Sequence, residues 1–410
     1  MSSGRIRILG ISDPLNAPTG FGRVARELFE RLPRDRFELA YLSRGWVGTR
    51  RFDGVQTYSA STQDQVCAGA FPIAASDFGT PFLLWTLTDP WQTGWLSHEQ
   101  NGLVTPQSRA WLAAHRREIR WIGHYPVDGE GFEGAPLWFE DFMRGPDVTV
   151  FMAEFGRKVL GQAIPGARLI SHAVDVDRFR PQTTDGPLPG LEGRHLILAV
   201  MANRRRKYWP ELLLAFARLK RSMPLAYLIG ICGDPQGEAD DTWSLADAVR
   251  RLKLETDVGF IRVTDERRLA QLYRLADLCV LLSGGEGFGL PQLEAHAAGK
   301  PCVVGAYSAS VELAVHPAEL VSPRGWTWTG NNLIKRPVYD PIDVATAMER
   351  LAANDRLRAE IGRRAEQQAQ ERAWDQILPQ WIQLFEEQWS ILTEGEASHA
   401  VAAEKEMARA

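Results

Sequence analysis

Apolar residues in the first half of the chain come in short runs separated by polar, glycine-bearing stretches. "RIRILGI" (Arg5 to Ile11) has the composition of a buried strand, and "GFGRVARELFERL" after it sets Val24, Leu28 and Leu32 four residues apart on one helical face. A strand, a glycine loop and a helix are predicted there. "FELAYL", "PFLLWTL", "IRWIGHY" and "VTVFMA" read as further strands. Strands alternating with helical or irregular segments build a parallel α/β sheet.

The pattern breaks at "RPQTTDGPLPGLEG" (Arg180 to Gly193), which is rich in proline and glycine and has no period, as a linker is. It then restarts. The strands "HLILAVM", "LAYLIGIC", "VGFIRV" and "DLCVLL" alternate with the helices "PELLLAFARLKR", "WSLADAVRRLKL" and "DERRLAQLYRLA". Amphipathic helices, "PIDVATAMERLAANDRLRAEIGRRAEQQAQER" and "WDQILPQWIQLFEEQW", close the chain ahead of the tail "GEASHAVAAEKEMARA". The expected division is one domain over 1–185, a second over 186–375, a helix over 376–394 packing back on the first, and a loose tail over 395–410.

Bulk composition narrows the partners more than the fold. At 410 residues the chain is too long for one ordinary core, and two domains imply a cleft between them. Hydrophobic residues make up 45% and charged residues 24%, and the net charge of −4 gives no global pull toward nucleic acid or anionic membrane. A polyanionic partner must be held by local patches. Cys67, Cys232, Cys279 and Cys302 are scattered without CxxC spacing, and the last two lie in apolar runs that read as buried strands. The reading is of reduced, structural thiols in a cytoplasmic protein. The start has no long apolar region, and no stretch approaches the ~20 residues that span a bilayer.

The chemistry concentrates in "SGGEGFGLPQLEAHAAGKPCVV" (Ser283 to Val304). Gly285, Gly287 and Gly289 fall between a strand and a helix that Pro291 can start and Gly299 can stop. The N–H groups at such a helix start, with the positive end of its dipole, form an anion site at the carboxyl end of a strand. Glu286 and Glu294 flank it. Carboxylates repel phosphate but accept hydrogen bonds from sugar hydroxyls, so the pair suits a nucleotide carrying a sugar. Spacing alone also fits a Glu294 that complements the dipole and a Glu286 that is solvated. "RRRK" (Arg204 to Lys207), between a strand and a helix, suits a phosphate loop or a solvated basic turn. Near the end of a predicted strand stand His124 and, four residues on, Asp128; the tryptophans Trp85, Trp91 and Trp95 offer stacking surfaces for an acceptor, with Trp85 expected in the core.

The glutamate string resembles the E-x7-E motif of the family 4 glycosyltransferases, retaining enzymes of the GT-B fold with two Rossmann-like domains facing across a cleft. "TGFGRVARELFERL", "DVTVFMAEFGRKVL", "HAVDVDRFRP", "RRRKYWPELLLAFARL" and "LYRLADLCVLLS" resemble other family segments in the expected order, over nearly the whole chain. One departure is Ala173, where the family usually has glycine. The resemblance implies transfer of a hexosyl or pentosyl group from a nucleotide-diphosphate sugar to an acceptor hydroxyl. It places Glu286 on the donor sugar and the Gly287, Phe288 and Gly289 backbone on the donor phosphate or sugar. Glu294 takes the ribose hydroxyls and Lys207 the diphosphate. The family's partner arginine is assigned to Arg204, with Arg206 as the alternative. Gly20 and Gly22 let the first helix approach the donor or acceptor, His124 lies near the transferred sugar, and Asp128 and Trp91 are acceptor candidates. Cationic side chains replace a metal in such a site. The D-x-D string of Asp175 and Asp177 falls in the joint between domains, where coincidence explains it, and no cofactor beyond the nucleotide sugar is implied. The acceptor stays open among a small molecule, a glycan and DNA with hydroxymethylated pyrimidines; the oligomeric state is not legible.

Two other classes compete. "GFGRVA" (Gly20 to Ala25) fits the G-x-G-x-x-A pattern of a dinucleotide-binding oxidoreductase, but that fingerprint starts directly after its strand, and here eight residues separate Ile11 from Gly20. "HRREIRW" and "RRRKYW" interleave basic and aromatic residues, as a nucleic-acid-binding surface does.

Overall fold

A computed structural model describes residues 4–45, 52–97, 104–132, 134–182, 185–263 and 265–407, with side chains as far as 395. The first sheet contains β1 (Ile6–Ser12), β2 (Phe37–Ser43), β3 (Val55–Ser59), β4 (Phe82–Leu87), β5 (Ile119–Tyr125), β6 (Val148–Phe151) and β7 (Arg168–Leu169). Its spatial order is β3-β2-β1-β4-β5-β6-β7, parallel throughout. All six residues of β4 are buried, which is what a strand covered by helices on both faces requires.

The second sheet repeats the plan with β8 (His195–Val200), β9 (Ala226–Ile231), β10 (Val258–Phe260), β11 (Leu278–Leu281), β12 (Cys302–Gly305) and β13 (Leu320–Val321). They lie parallel in the order β10-β9-β8-β11-β12-β13. Each sheet reverses its winding once, between β1 and β4 and between β8 and β11, and loops at such switch points are where open α/β sheets take ligands. Two doubly wound sheets with this arrangement make a GT-B fold.

An antiparallel hairpin, β14 (Gly325–Thr329) with β15 (Ile334–Val338), was not expected from the pattern. It reaches the first lobe: Lys335 N donates to Glu130 O (2.8 Å) and Leu137 N to Asn332 O (3.1 Å). The closing helix, Trp374–Met407, touches β1, β4 and β5, with Trp381 edge-on to Trp85 at 6.0 Å and Phe385 against Phe37 at 6.3 Å. Where a loose tail was expected from 395, this helix continues to Met407, because that stretch is rich in alanine and glutamate, both strong helix formers.

Charged side chains tie the lobes together on one side of the cleft. Arg26 and Arg178 of the first lobe both pair with Glu266 of the second, and Arg178 also holds Glu27 (2.9 Å) and Asp175 (2.8 Å). Trp374 Nε1 donates to Glu27 from the closing helix. Asp175 is thus occupied by arginines, Arg31 included at 3.2 Å, and Asp177 is solvent-exposed.

Candidate active site

The carboxyl ends of both sheets open on one cavity of ≈ 1080 Å³. Its walls come from the loops after β1, β4, β5 and β6 on one side and after β8, β9, β10 and β11 on the other, with the hairpin as a flank. That is the size and placement of a substrate site.

The donor half is built by two loops far apart in sequence. Gly284 N donates to Arg206 O (2.7 Å), Tyr208 N donates to Leu282 O (3.2 Å), and Lys207 and Ser283 form an isolated bridge. This backbone pairing aims Lys207 at Glu286, and Lys207 Nζ is ion-paired with Glu286 Oε1. Both side chains are buried and both line the cavity. Burial lowers Lys207 to about 8 although Glu286 pulls the other way. Burial also opposes the charge on Glu286, yet Lys207 and Arg206 hold its carboxyl below the usual range. Arg206 lines the cavity, donates to Gly285 O (2.8 Å) and stands 3.9 Å from Glu286.

Directly after Glu286, Gly287, Phe288, Gly289, Leu290 and Pro291 run along the cavity into the helix Leu290–Ala297. Gly289 caps it with a left-handed backbone, φ 102°, which favours glycine. A Cβ on Gly287 would lie 2.5 Å from Pro126 Cβ across the cleft, so only glycine lets the lobes approach this closely. Glu294 is buried behind Leu290, in a small recess that also holds Arg23 and Glu27. Arg23 makes an ion pair with its Oε1, but off hydrogen-bond geometry, and both carboxylate oxygens lack a hydrogen-bond partner.

The first lobe contributes Gly20 from the helix Gly20–Arg31, and Asp13, Asp89, Trp91, Asp128 and His172 from loops. Asp128 is paired with Arg336 of the hairpin (3.2 Å), and Asp13 with Arg44. Burial, with Asp128 next, raises Asp89 to about 6. His172 has its ring on Phe288 at 5.0 Å, and burial lowers it to about 3.

Several expected residues land elsewhere. His124 is fully buried, boxed by Trp85, Trp381 and His172, with neither ring nitrogen partnered; it does not line the cavity, and His172 is the histidine that does. Burial, then His172, lowers His124 well below its usual value. Arg204 points away, its Nη1 donating to Asp240 O (3.3 Å), because the turn that brings Lys207 to Glu286 brings Arg206 with it and sends Arg204 outward. Gly22 does not line the cavity; a Cβ there would lie 2.7 Å from Pro14 O, so its small size serves the loop before the helix. Trp85 and Trp95 are buried, while Trp91 is 46% exposed and forms part of the cavity wall. Beyond the second sheet, Ile261, Arg262 and Val263 reach the wall, while Phe260 turns to Trp209 at 5.9 Å.

Comparison with known proteins agrees with this layout. Residues 186–368 match the family model described as glycosyl transferases group 1. A D-inositol 3-phosphate glycosyltransferase of Saccharomonospora viridis is 29% identical over 303 residues, 72% of this chain and 67% of that protein. A second, D-inositol 3-phosphate glycosyltransferase 2 of Catenulispora acidiphila, is 31% identical over 292 residues, 69% of this chain and 65% of that one. The chain spans about half to two thirds of the length of such relatives. Among solved structures, sucrose-phosphate synthase of Thermosynechococcus elongatus superposes with a TM-score of 0.73 at 20% identity, over 94% of this chain and 100% of that one. Anabaena HepE, solved in complex with UDP and glucose, gives 0.71 at 16% identity over 93% and 100%. Two parallel-sheet lobes, a glycosyl transferases group 1 match across the second and homologues of this class make the chain a glycosyltransferase with the GT-B fold.

Proposed function

We propose that this chain transfers a sugar from a nucleotide-diphosphate sugar to an acceptor hydroxyl, with retention of the anomeric configuration and without a metal ion. The observation that carries the reading is the buried Lys207–Glu286 pair with Arg206, set against the glycine-lined start of the helix Leu290–Ala297. As the glycosidic bond to the donor breaks, charge grows on the departing diphosphate. Lys207, Arg206 and the helix start stabilise it, and preorganised charge of this kind is the largest catalytic term in most enzymes. These cations do the work that a divalent metal does elsewhere. Glu286, released from Lys207 as phosphate takes its place, accepts hydrogen bonds from the sugar hydroxyls, and Glu294, ion-paired with Arg23 in the adjoining recess but with no hydrogen bond to either oxygen, accepts from the ribose. The departing phosphate takes the acceptor proton on the same face of the sugar, so no protein nucleophile is required.

The test is a thermal-shift screen of the full chain with nucleotide sugars. The cognate donor joins the two lobes and raises Tm; the product it forms keeps the donor's anomeric configuration by NMR, and turnover persists in EDTA. A panel with no stabilising donor, an inverted product, or activity lost in chelator and restored by manganese overturns the corresponding part.

A further inference from the structure

The two halves of the cavity differ in charge. In the second lobe four cations, Arg206, Lys207, Arg262 and Arg336, line it against two carboxylates, Asp234 and Glu286; in the first, among the described residues, the carboxylates of Asp13, Asp89 and Asp128 line it against one cation, Arg23, which is engaged by Glu294. Asp13 and Asp128 are matched by Arg44 and Arg336. Asp89 has no ion pair among the described residues. A phosphate brought to this side would meet carboxylates.

A second observation is independent of the acids. His172 is 4% exposed, lines the same cavity, and its Nδ1 is buried without a hydrogen-bond partner. Its burial keeps the imidazole neutral, so it offers an anion no charge. The short helix Pro90–Thr93 puts the half-exposed Trp91 indole beside Asp89, a flat apolar face next to a hydrogen-bond acceptor.

We propose that the acceptor is a polyhydroxylated ring carrying no phosphate or carboxylate, held by Asp89 through its hydroxyls and by Trp91 against its apolar face. This rests on the transferase reading above and narrows it, since the relatives found by comparison are named for a phosphorylated acceptor.

The test uses the full chain loaded with the donor identified by thermal shift, and matched acceptor pairs: myo-inositol and its 3-phosphate, glucose and glucose 6-phosphate, fructose and fructose 6-phosphate. Nucleotide release is followed. The neutral member of a pair is expected to give the higher kcat/KM. Asp89→Arg shifts the ratio toward the phosphorylated member by at least about tenfold. Should that variant not fold, Asp89→Asn, which keeps the shape, raises KM for the neutral acceptor and leaves donor affinity unchanged. The proposal falls if the wild-type chain prefers the phosphorylated members, if the substitutions leave both ratio and KM unmoved, or if no neutral ring accelerates release while the donor binds. Failure of every nucleotide sugar to bind is a different outcome and overturns the transferase reading itself.

Discussion

Removing Lys207 separates the catalytic role of the buried pair from its structural one. The lysine is 5% exposed and Glu286 7%, and the two are in direct contact. In Lys207→Met the carboxylate loses its nearest cation. A sealed ion pair broken in this way costs about 3–5 kcal/mol. Here Arg206 stands 3.9 Å from Glu286 and the cavity admits water, so we expect about 1–2 kcal/mol, a fall in Tm of about 1–2 °C for a chain of 410 residues. The catalytic loss is larger. Losing one preorganised group aimed at developing charge lowers kcat by about 10²–10³, or about 3–4 kcal/mol. The double variant Lys207→Met/Glu286→Gln removes both charges and should recover the melting temperature but not the turnover. Differential scanning calorimetry and a nucleotide-release assay read the two effects. Turnover within about tenfold of wild type in Lys207→Met, with donor present at saturation, refutes the assignment of Lys207 to the leaving phosphate.

Three further outcomes are expected. Lys207 titrates at about 8, with burial loosening its proton, Glu286 and Asp128 retaining it and Arg206 repelling it; the protonated form meets the phosphate, so kcat/KM for the donor holds below that pH and declines above it. Lys207→Arg should move the alkaline limb upward, and an unmoved limb assigns it to another group. His124→Ala, emptying a site enclosed by Trp85, Trp381 and His172, should destabilise the fold by about 2–4 kcal/mol in denaturant titration, whereas His172→Ala lowers turnover with a smaller stability change; the reverse pattern contradicts their placement. Gly287→Ala places a methyl 2.5 Å from Pro126 Cβ, and should abolish the thermal shift given by the donor while each lobe keeps its circular dichroism.

Most of the parallel strands were legible because they are short runs of β-branched and apolar residues bounded by turns, as in "HLILAV" and "DLCVL"; the edge strands β3, a largely exposed VQTYS, and β7 and β13, two residues each, carry no such run and were not expected. The glutamate loop was legible through its glycines and through Pro291 at the start of the helix. What failed was direction. Nothing local in "RRRK" says which arginine follows Lys207 inward; the pairing of residues 206–208 with 282–284, across some eighty positions, decides it. His124 has a strand-end position suited to a site, but the closing helix lays Trp381 over it, a contact between distant segments. Arg336, which completes the cavity beside Asp128, arrives on a hairpin that the reading passed over. Its signal was present, since "GWTWT" alternates with a period of two before the turn "GNN".

A crystal of the chain soaked with a nucleoside diphosphate sugar tests the central claim most directly. The diphosphate is expected against Arg206, Lys207 and the backbone of residues 287–290, with the Lys207–Glu286 contact opened and Glu286 turned to the sugar. A nucleotide bound outside the cleft, or inside it with Lys207 still closed on Glu286 and its phosphates on the Asp89 side, would contradict it.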